Sequence, residues 1–184
     1  MNNKNDYAKS FSEGLTSVKL NGKCGFIDEI GRVVIPIQYD DVGNFSEGLV
    51  YVKLNGKCGY IDQTGKEVIP FKYDYANDFS EKLAAVFLKG KCGFIDKTGK
   101  EIIPLKYDCV LDFSEGLAAV NIGGNFNPDE YCSGKWGFVD QTGKEVIPLK
   151  YEDANFFENG LVRVELNGEE FYINKQGERV EKKS

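Results

Sequence analysis

Between residues 49 and 74 the chain reads LVYVKL, NG, KCGYID, QTGK, EVIPFKYD. Side chains alternate across a strand, so Val50, Val52 and Leu54 fall on one face of LVYVKL, and Tyr51 and Lys53 on the other. Asn55-Gly56 is a favoured two-residue hairpin turn, because both central positions of a type I′ turn need positive φ. KCGYID predicts a second strand. QTGK predicts a wider turn, with Gly65 able to take a left-handed conformation. EVIPFKYD predicts a third strand. Pro70 cannot donate to a ladder, which puts that strand at a sheet edge or ends its pairing near the proline. The polar stretch YANDF that follows reads as a loop or a single helical turn. No window shows sustained 3.6-residue periodicity, so long helices are not expected.

The pattern repeats. Cys24, Cys58 and Cys92 stand 34 residues apart; Trp136 and Glu170 hold the same place further on. Phe11, Phe45, Phe79, Phe113 and Phe157 keep step, opening FSEGL, FSEGL, FSEKL, FSEGL and FENGL. Five units result, about 11–44, 45–78, 79–112, 113–156 and 157–184, preceded by a part-unit at 1–10, all in one β-repeat domain. The fourth unit carries ten extra residues, because GGNFNPDEYCSG (123–134) replaces an Asn-Gly turn and predicts an extended hairpin loop.

The faces of the first strand in each unit differ. Its fourth position is Val18, Val52, Val86, Val120 and Val164, a face fit for a packed interior. The opposite face runs Ser17, Tyr51, Ala85, Ala119 and Arg163, then Lys19, Lys53, Phe87, Asn121 and Glu165. That variable face is expected to meet solvent or a partner. In the second strand, the glycine beside the Cys or Trp place (Gly25 in the first unit) asks for close approach of something, and an aromatic ring from a neighbouring strand would meet that need. The Cys or Trp beside it is then expected to be half-buried.

Composition narrows the class. With 184 residues, 41% hydrophobic content and 13% aromatics, the chain is long and apolar enough for a real core. A net charge of −6 with both signs interspersed argues against a nucleic-acid backbone as partner. There is no histidine, which removes the usual general base, the usual metal ligand and Ser–His or Cys–His pairs. None of the five cysteines forms a CxxC pair, and an odd count fits poorly with a fully paired disulfide framework. Cys24, Cys58 and Cys92 read as buried, inert thiols. Cys109 and Cys132, in a loop and in the insertion, read as better candidates for exposed thiols, with a bond between them only if the fold brings them together. No apolar leader or long apolar run occurs, so the expectation is a cytoplasmic chain without membrane contact, or an exported one if a signal has been removed.

GKWGFVDQTGKEVIPLKYE at 134–152, followed by FENGLVRV, resembles the bacterial WG-repeat family, whose unit is close to GKWGFID-x-TG-x-VIP-x-x-YD-x-x-x-x-FSEGLA-x-V. The resemblance covers almost the whole chain. Three units depart by carrying Cys in place of Trp, and the last carries Glu170. It implies a repetitive all-β protein; it implies no common chemistry and supplies no catalytic residues.

Tandem three-stranded antiparallel units could form an open, twisted, solenoid-like β-repeat array or a closed five-unit propeller-like ring. The open array is the favoured expectation. Propeller blades usually have four strands and about 40–45 residues, against three strands read here in 34. The polar ending EKKS also reads as a cap.

Scaffold groups recur in every unit, whereas catalytic groups occur once. Asp28, Asp62, Asp96 and Asp140, with Asn174 in the last unit, sit where an Asp accepts backbone N–H bonds in an Asx-type turn. Glu13, Glu47, Glu81 and Glu115 follow the same logic. No catalytic residue, cofactor or metal site is assigned. The insertion occurs once, and long loops on a rigid scaffold often carry function. Its Asn125, Phe126, Asp129, Glu130 and Tyr131 are candidate binding residues, together with Tyr51, Phe87 and Arg163 on the variable strand face. The favoured function is a non-catalytic scaffold for an unknown protein or peptide, as a monomer or weak oligomer. A small-ligand or saccharide module is the alternative, and a carboxylate-based hydrolase ranks last.

Overall fold

A computed structural model describes residues 7–8, 11–124 and 132–180, and shows strands and turns with no helix among them. The strands form five four-stranded antiparallel sheets. The first sheet holds β1 (Tyr7–Ala8), β2 (Leu15–Leu20), β3 (Lys23–Asp28) and β4 (Val33–Tyr39). The second holds β5 (Asp41–Val42), β6 (Leu49–Leu54), β7 (Lys57–Asp62) and β8 (Glu67–Tyr73). The third holds β9 (Tyr75–Ala76), β10 (Ala84–Leu88), β11 (Lys91–Ile95) and β12 (Glu101–Tyr107). The fourth holds β13 (Cys109–Val110), β14 (Leu117–Ile122), β15 (Lys135–Asp140) and β16 (Glu145–Tyr151). The fifth holds β17 (Asp153–Ala154), β18 (Leu161–Leu166), β19 (Glu169–Asn174) and β20 (Arg179–Val180). In each sheet the strands lie side by side in chain order. Two compact units divide the chain: Met1–Leu88 with Asp96–Lys100, and Lys89–Ile95 with Glu101–Ser184.

Each sheet thus has one strand more than the three read from the sequence. The addition is the two-residue strand inside the segment read as loop or helical turn; in the second sheet Asp41 pairs with Lys53 and Val42 with Val52. Four strands in chain order is the blade pattern of β-propellers. The hairpins follow the expected chemistry: Asn55 and Gly56 take φ of 52° and 78°. A second tight turn closes each FSEGL segment, with Ser46 and Leu49 exchanging backbone bonds at 2.9 and 3.2 Å around Glu47 (φ 55°) and Gly48.

The proline strands are edge strands, as expected. Their register explains the glycine of the second strand. Cys58 pairs with Tyr73 and Tyr60 with Ile69, so β8 spends four residues where β7 spends two, and the surplus bulges at Pro70. The bulge brings backbone, not an aromatic ring, over Gly59: a Cβ there would lie 2.6 Å from the Ile69 carbonyl oxygen and 2.9 Å from the Phe71 nitrogen. Gly25, Gly93 and Gly137 meet the same obstruction from Ile35, Ile103 and Ile147. In the fifth sheet Phe171 replaces the glycine, and the described residues of β20 pair with β19 as Tyr172 against Val180 and Ile173 against Arg179.

Consecutive sheets within each unit are joined face to face by one recurring joint. The Phe that opens FSEGL lays its ring on the central aromatic of the preceding sheet: Phe45 on Phe26 at 4.9 Å and Phe79 on Tyr60 at 5.0 Å in the first unit. In the second unit Phe113 lies on Phe94 at 4.8 Å and Phe157 on Phe138 at 5.1 Å. The tilted and edge-on geometries suit ring quadrupoles. Hydrogen bonds frame each ring. Ser12, Ser46 and Ser114 donate to the carbonyls of Phe45, Phe79 and Phe157 at 2.5, 2.6 and 2.7 Å. Glu13 and Glu115 accept from the N–H groups of Gly48 and Gly160 at 3.0 and 2.9 Å.

Because Gly59 faces fixed backbone, Gly59→Ala is expected to destabilise the fold by about 2 kcal/mol through overpacking. Urea unfolding measures this; an unchanged midpoint would contradict it.

Candidate functional site

The variable strand face is mostly not free, contrary to the expectation from alternation. Ser17, Ala85, Phe87, Ala119 and Asn121 are buried, and Tyr51 is half-buried with its ring over Gly43. Phe87 and Tyr51 are therefore core contacts rather than presented ligand groups. Alternation tells which residues share a face; it does not tell that another layer covers it. Arg163 alone of the three candidates lines open space. Its guanidinium bonds Asp153 at 2.8 Å and pairs with Glu170, in the fifth sheet's place for Cys or Trp. Asn125, Phe126, Asp129, Glu130 and Tyr131 lie outside the described residues.

The recurring acids hold turns. Asp62 Oδ1 accepts from the Thr64 hydroxyl at 2.6 Å and from the N–H groups of Thr64 and Lys66 at 2.9 and 3.1 Å. The Thr64 hydroxyl bond, supported by these N–H groups, holds the Asp62 carboxyl below the usual carboxylate range; Asp96 and Asp140 repeat this with Thr98 and Thr142. Asn174 makes the same two backbone bonds without a charge. The Lys175 ammonium and the Gly160 N–H lower Glu115 in turn. Stability drawn from a lowered carboxyl is present above its unfolded pKa and is lost as pH falls through the folded value. Among the described residues, no three or more acidic or sulfur side chains converge to hold a metal.

The Cys or Trp place is buried, not half-buried: Cys24, Cys58, Cys92 and Trp136 all lie in the core. Burial pushes the Cys58 thiol up to about 11 and the Cys92 thiol to about 12. Cys92 donates to the Tyr107 carbonyl at 3.3 Å. Trp136 carries a stronger donor that must be met when buried; its indole N–H donates to the Cys132 carbonyl at 3.3 Å, at the end of the insertion. Cys109 and Cys132 are not exposed thiols. They are buried and form a disulfide, with Cα atoms 6.6 Å apart. The fold aligns them because β13 pairs Cys109 with Asn121, next to the strand end from which the insertion leaves.

The open site is the outer face of the fifth sheet. A pocket of about 270 Å³ is lined there by Asn155, Phe156, Glu158, Leu161, Arg163 and Tyr172. Tyr172 holds the place of Phe26, Tyr60, Phe94 and Phe138, which are fully buried, yet it is half-buried. Phe156 is 57% exposed. The pocket takes the place that the Phe of FSEGL fills on the earlier sheets. Sequence reasoning missed Tyr172 and Phe156; the signal was present in the last unit's departures, Glu158 for Ser, Glu170 for Cys or Trp and Phe171 for Gly.

The molecule is an all-β repeat protein built from blade-like sheets. The model of the WG containing repeat matches residues 6–24, 25–58, 59–92, 93–126 and 136–169, and the chain belongs to this family. No curated protein matches the chain. Among solved structures it is similar to Kluyveromyces lactis Hsv2 at 9% identity and a TM-score of 0.56, covering 96% of this chain and 63% of that one. It is also similar to a structure described as the eukaryotic initiation factor, at 13% identity and a TM-score of 0.57, covering 96% of this chain and 55% of that one. The chain thus spans less than two thirds of either, and the likeness is one of fold.

With three thiols buried, Cys58 and Cys92 raised by that burial, and two cysteines bonded, no cysteine is expected to react rapidly in the native protein. A thiol reagent at pH 8 should label Cys24, Cys58 and Cys92 only as the chain unfolds; rapid labelling of all three would contradict their burial.

Proposed function

We propose that this protein is a non-catalytic β-repeat scaffold that binds a protein or peptide through the outer face of the fifth sheet. The observation that carries the reading is the pocket beside Tyr172, at the place the joint's Phe takes on the earlier sheets. The chain builds the same aromatic seat repeatedly and fills it with a Phe on a tight Ser-Glu-Gly turn. At the fifth sheet the seat is open and bordered by Phe156 and Arg163. Aromatic and Arg side chains in a partly enclosed pocket are the usual anchors of protein recognition. The matching ligand is therefore a β-turn presenting an aromatic residue.

The non-catalytic half of the reading draws support from the acids. The recurring Asp and Glu groups are committed to backbone N–H groups and lysines. Those bonds favour the charged form, whereas a general acid needs a raised pKa.

A cyclic peptide carrying Phe-Ser-Glu-Gly-Leu tests the site by NMR titration of the full chain. Saturable shifts centred on Tyr172 and Phe156, lost when the peptide's Phe becomes Ala, are expected. No shift at millimolar peptide, or shifts centred elsewhere, would contradict the proposal.

A further inference from the structure

The first sheet carries the other half of the same joint. Its Phe11, which opens a FSEGL identical to those at 45–49 and 113–117, is 51% exposed, whereas Phe45, Phe79, Phe113 and Phe157 are buried. Val18 and Ile27 are half-buried, whereas their counterparts Val52 and Ile61 in the second sheet are fully buried. A second seat shows the same mismatch. Gly65 rests on Ile35 and Gly177 on Ile147, each with the place of a Cβ 3.5 Å from the isoleucine side chain. Gly31, the first sheet's equivalent, has nothing within 4 Å, and Val180, which pairs opposite Tyr172 as Ile147 pairs opposite Phe138, is half-buried.

We propose that the first sheet of one copy of this chain docks on the fifth sheet of a second copy, Phe11 seating on Tyr172 and Gly31 on Val180, in a head-to-tail contact. This rests on the reading of the fifth-sheet face as a socket and names its occupant. A second copy fits because the contact continues an interface the chain already builds between its own sheets. The polar frame agrees. Inside the chain a donor of the later sheet meets an acid of the earlier one: Gln63 on Glu13 at 3.1 Å, Lys97 on Glu47 at 2.9 Å, Lys175 on Glu115 at 3.1 Å. At the free faces both partners are exchanged together. Glu29 stands in the donor's place and Asn159, with an amide N–H to give, in the acid's place. One bond has no counterpart, since Glu158 replaces the serine that donates to the Phe carbonyl. The contact between copies is therefore weaker than those within the chain. It is also heterologous, so successive copies can add without using up the free faces.

Sedimentation velocity over a range of concentrations tests this. The wild-type mass should rise above the 20.6 kDa of one chain as concentration increases. Phe11→Ala and Val180→Glu, both at accessible positions, should each weaken association at least tenfold, as loss of an interface anchor does. An equimolar mixture of the two variants should form a two-chain species, because each supplies the face the other lacks. A chain that stays at 20.6 kDa throughout would overturn the second copy as occupant, and if it still bound the cyclic peptide the socket would belong to a different partner. Association that ignores both substitutions, or a mixture that stays monomeric, would overturn it equally.

Discussion

Everything in this molecule depends on one sheet covering the face of the next. A four-stranded sheet whose strands run from two to seven residues cannot shelter its apolar residues alone. The Phe that opens each FSEGL segment solves this locally. It leaves its own sheet between the first and second strands and seats on the central aromatic of the sheet before it. The Ser and Glu that follow it satisfy the backbone around the next sheet's Phe, so the tight turn and the joint are the same short piece of sequence. The phrase recurs because each sheet between the first and the fifth both offers a ring and receives one.

The second constraint couples two distant letters of the repeat. The outer strand's proline sits in a bulge, and the bulge lies on the glycine of the neighbouring strand. Neither makes sense alone: the glycine gives up side-chain packing only because backbone occupies that space, and the bulge fits only over a residue without Cβ. Where Phe171 replaces the glycine, its ring receives the Arg179 guanidinium, 4.5 Å from its centre.

Much of this was legible in the sequence. Alternation marked the three longer strands, Asn-Gly marked their hairpins, proline marked the edge, and the recurring Asp marked the Asx turns. Three things were not legible. The two-residue first strand, Asp41–Val42 in the second sheet, is too short to show any alternation. The burial of Ala85, Phe87 and Asn121 comes from a layer that strand periodicity does not report. The Cys109–Cys132 bond joins a two-residue strand to the end of an insertion, a pairing that spacing cannot give. Of the candidate site, Arg163 was singled out in the sequence and lines the pocket, while Tyr172 was hidden by its likeness to core aromatics.

The ring-on-ring joint couples consecutive sheets, and a double-mutant cycle on Tyr60 and Phe79, read by urea unfolding, measures that coupling. Truncating each to Leu alone and both together should give a coupling energy of roughly 1 kcal/mol, the value of a well-placed aromatic pair beyond its buried area. Additivity within about 0.3 kcal/mol, as for independent sites, would contradict it.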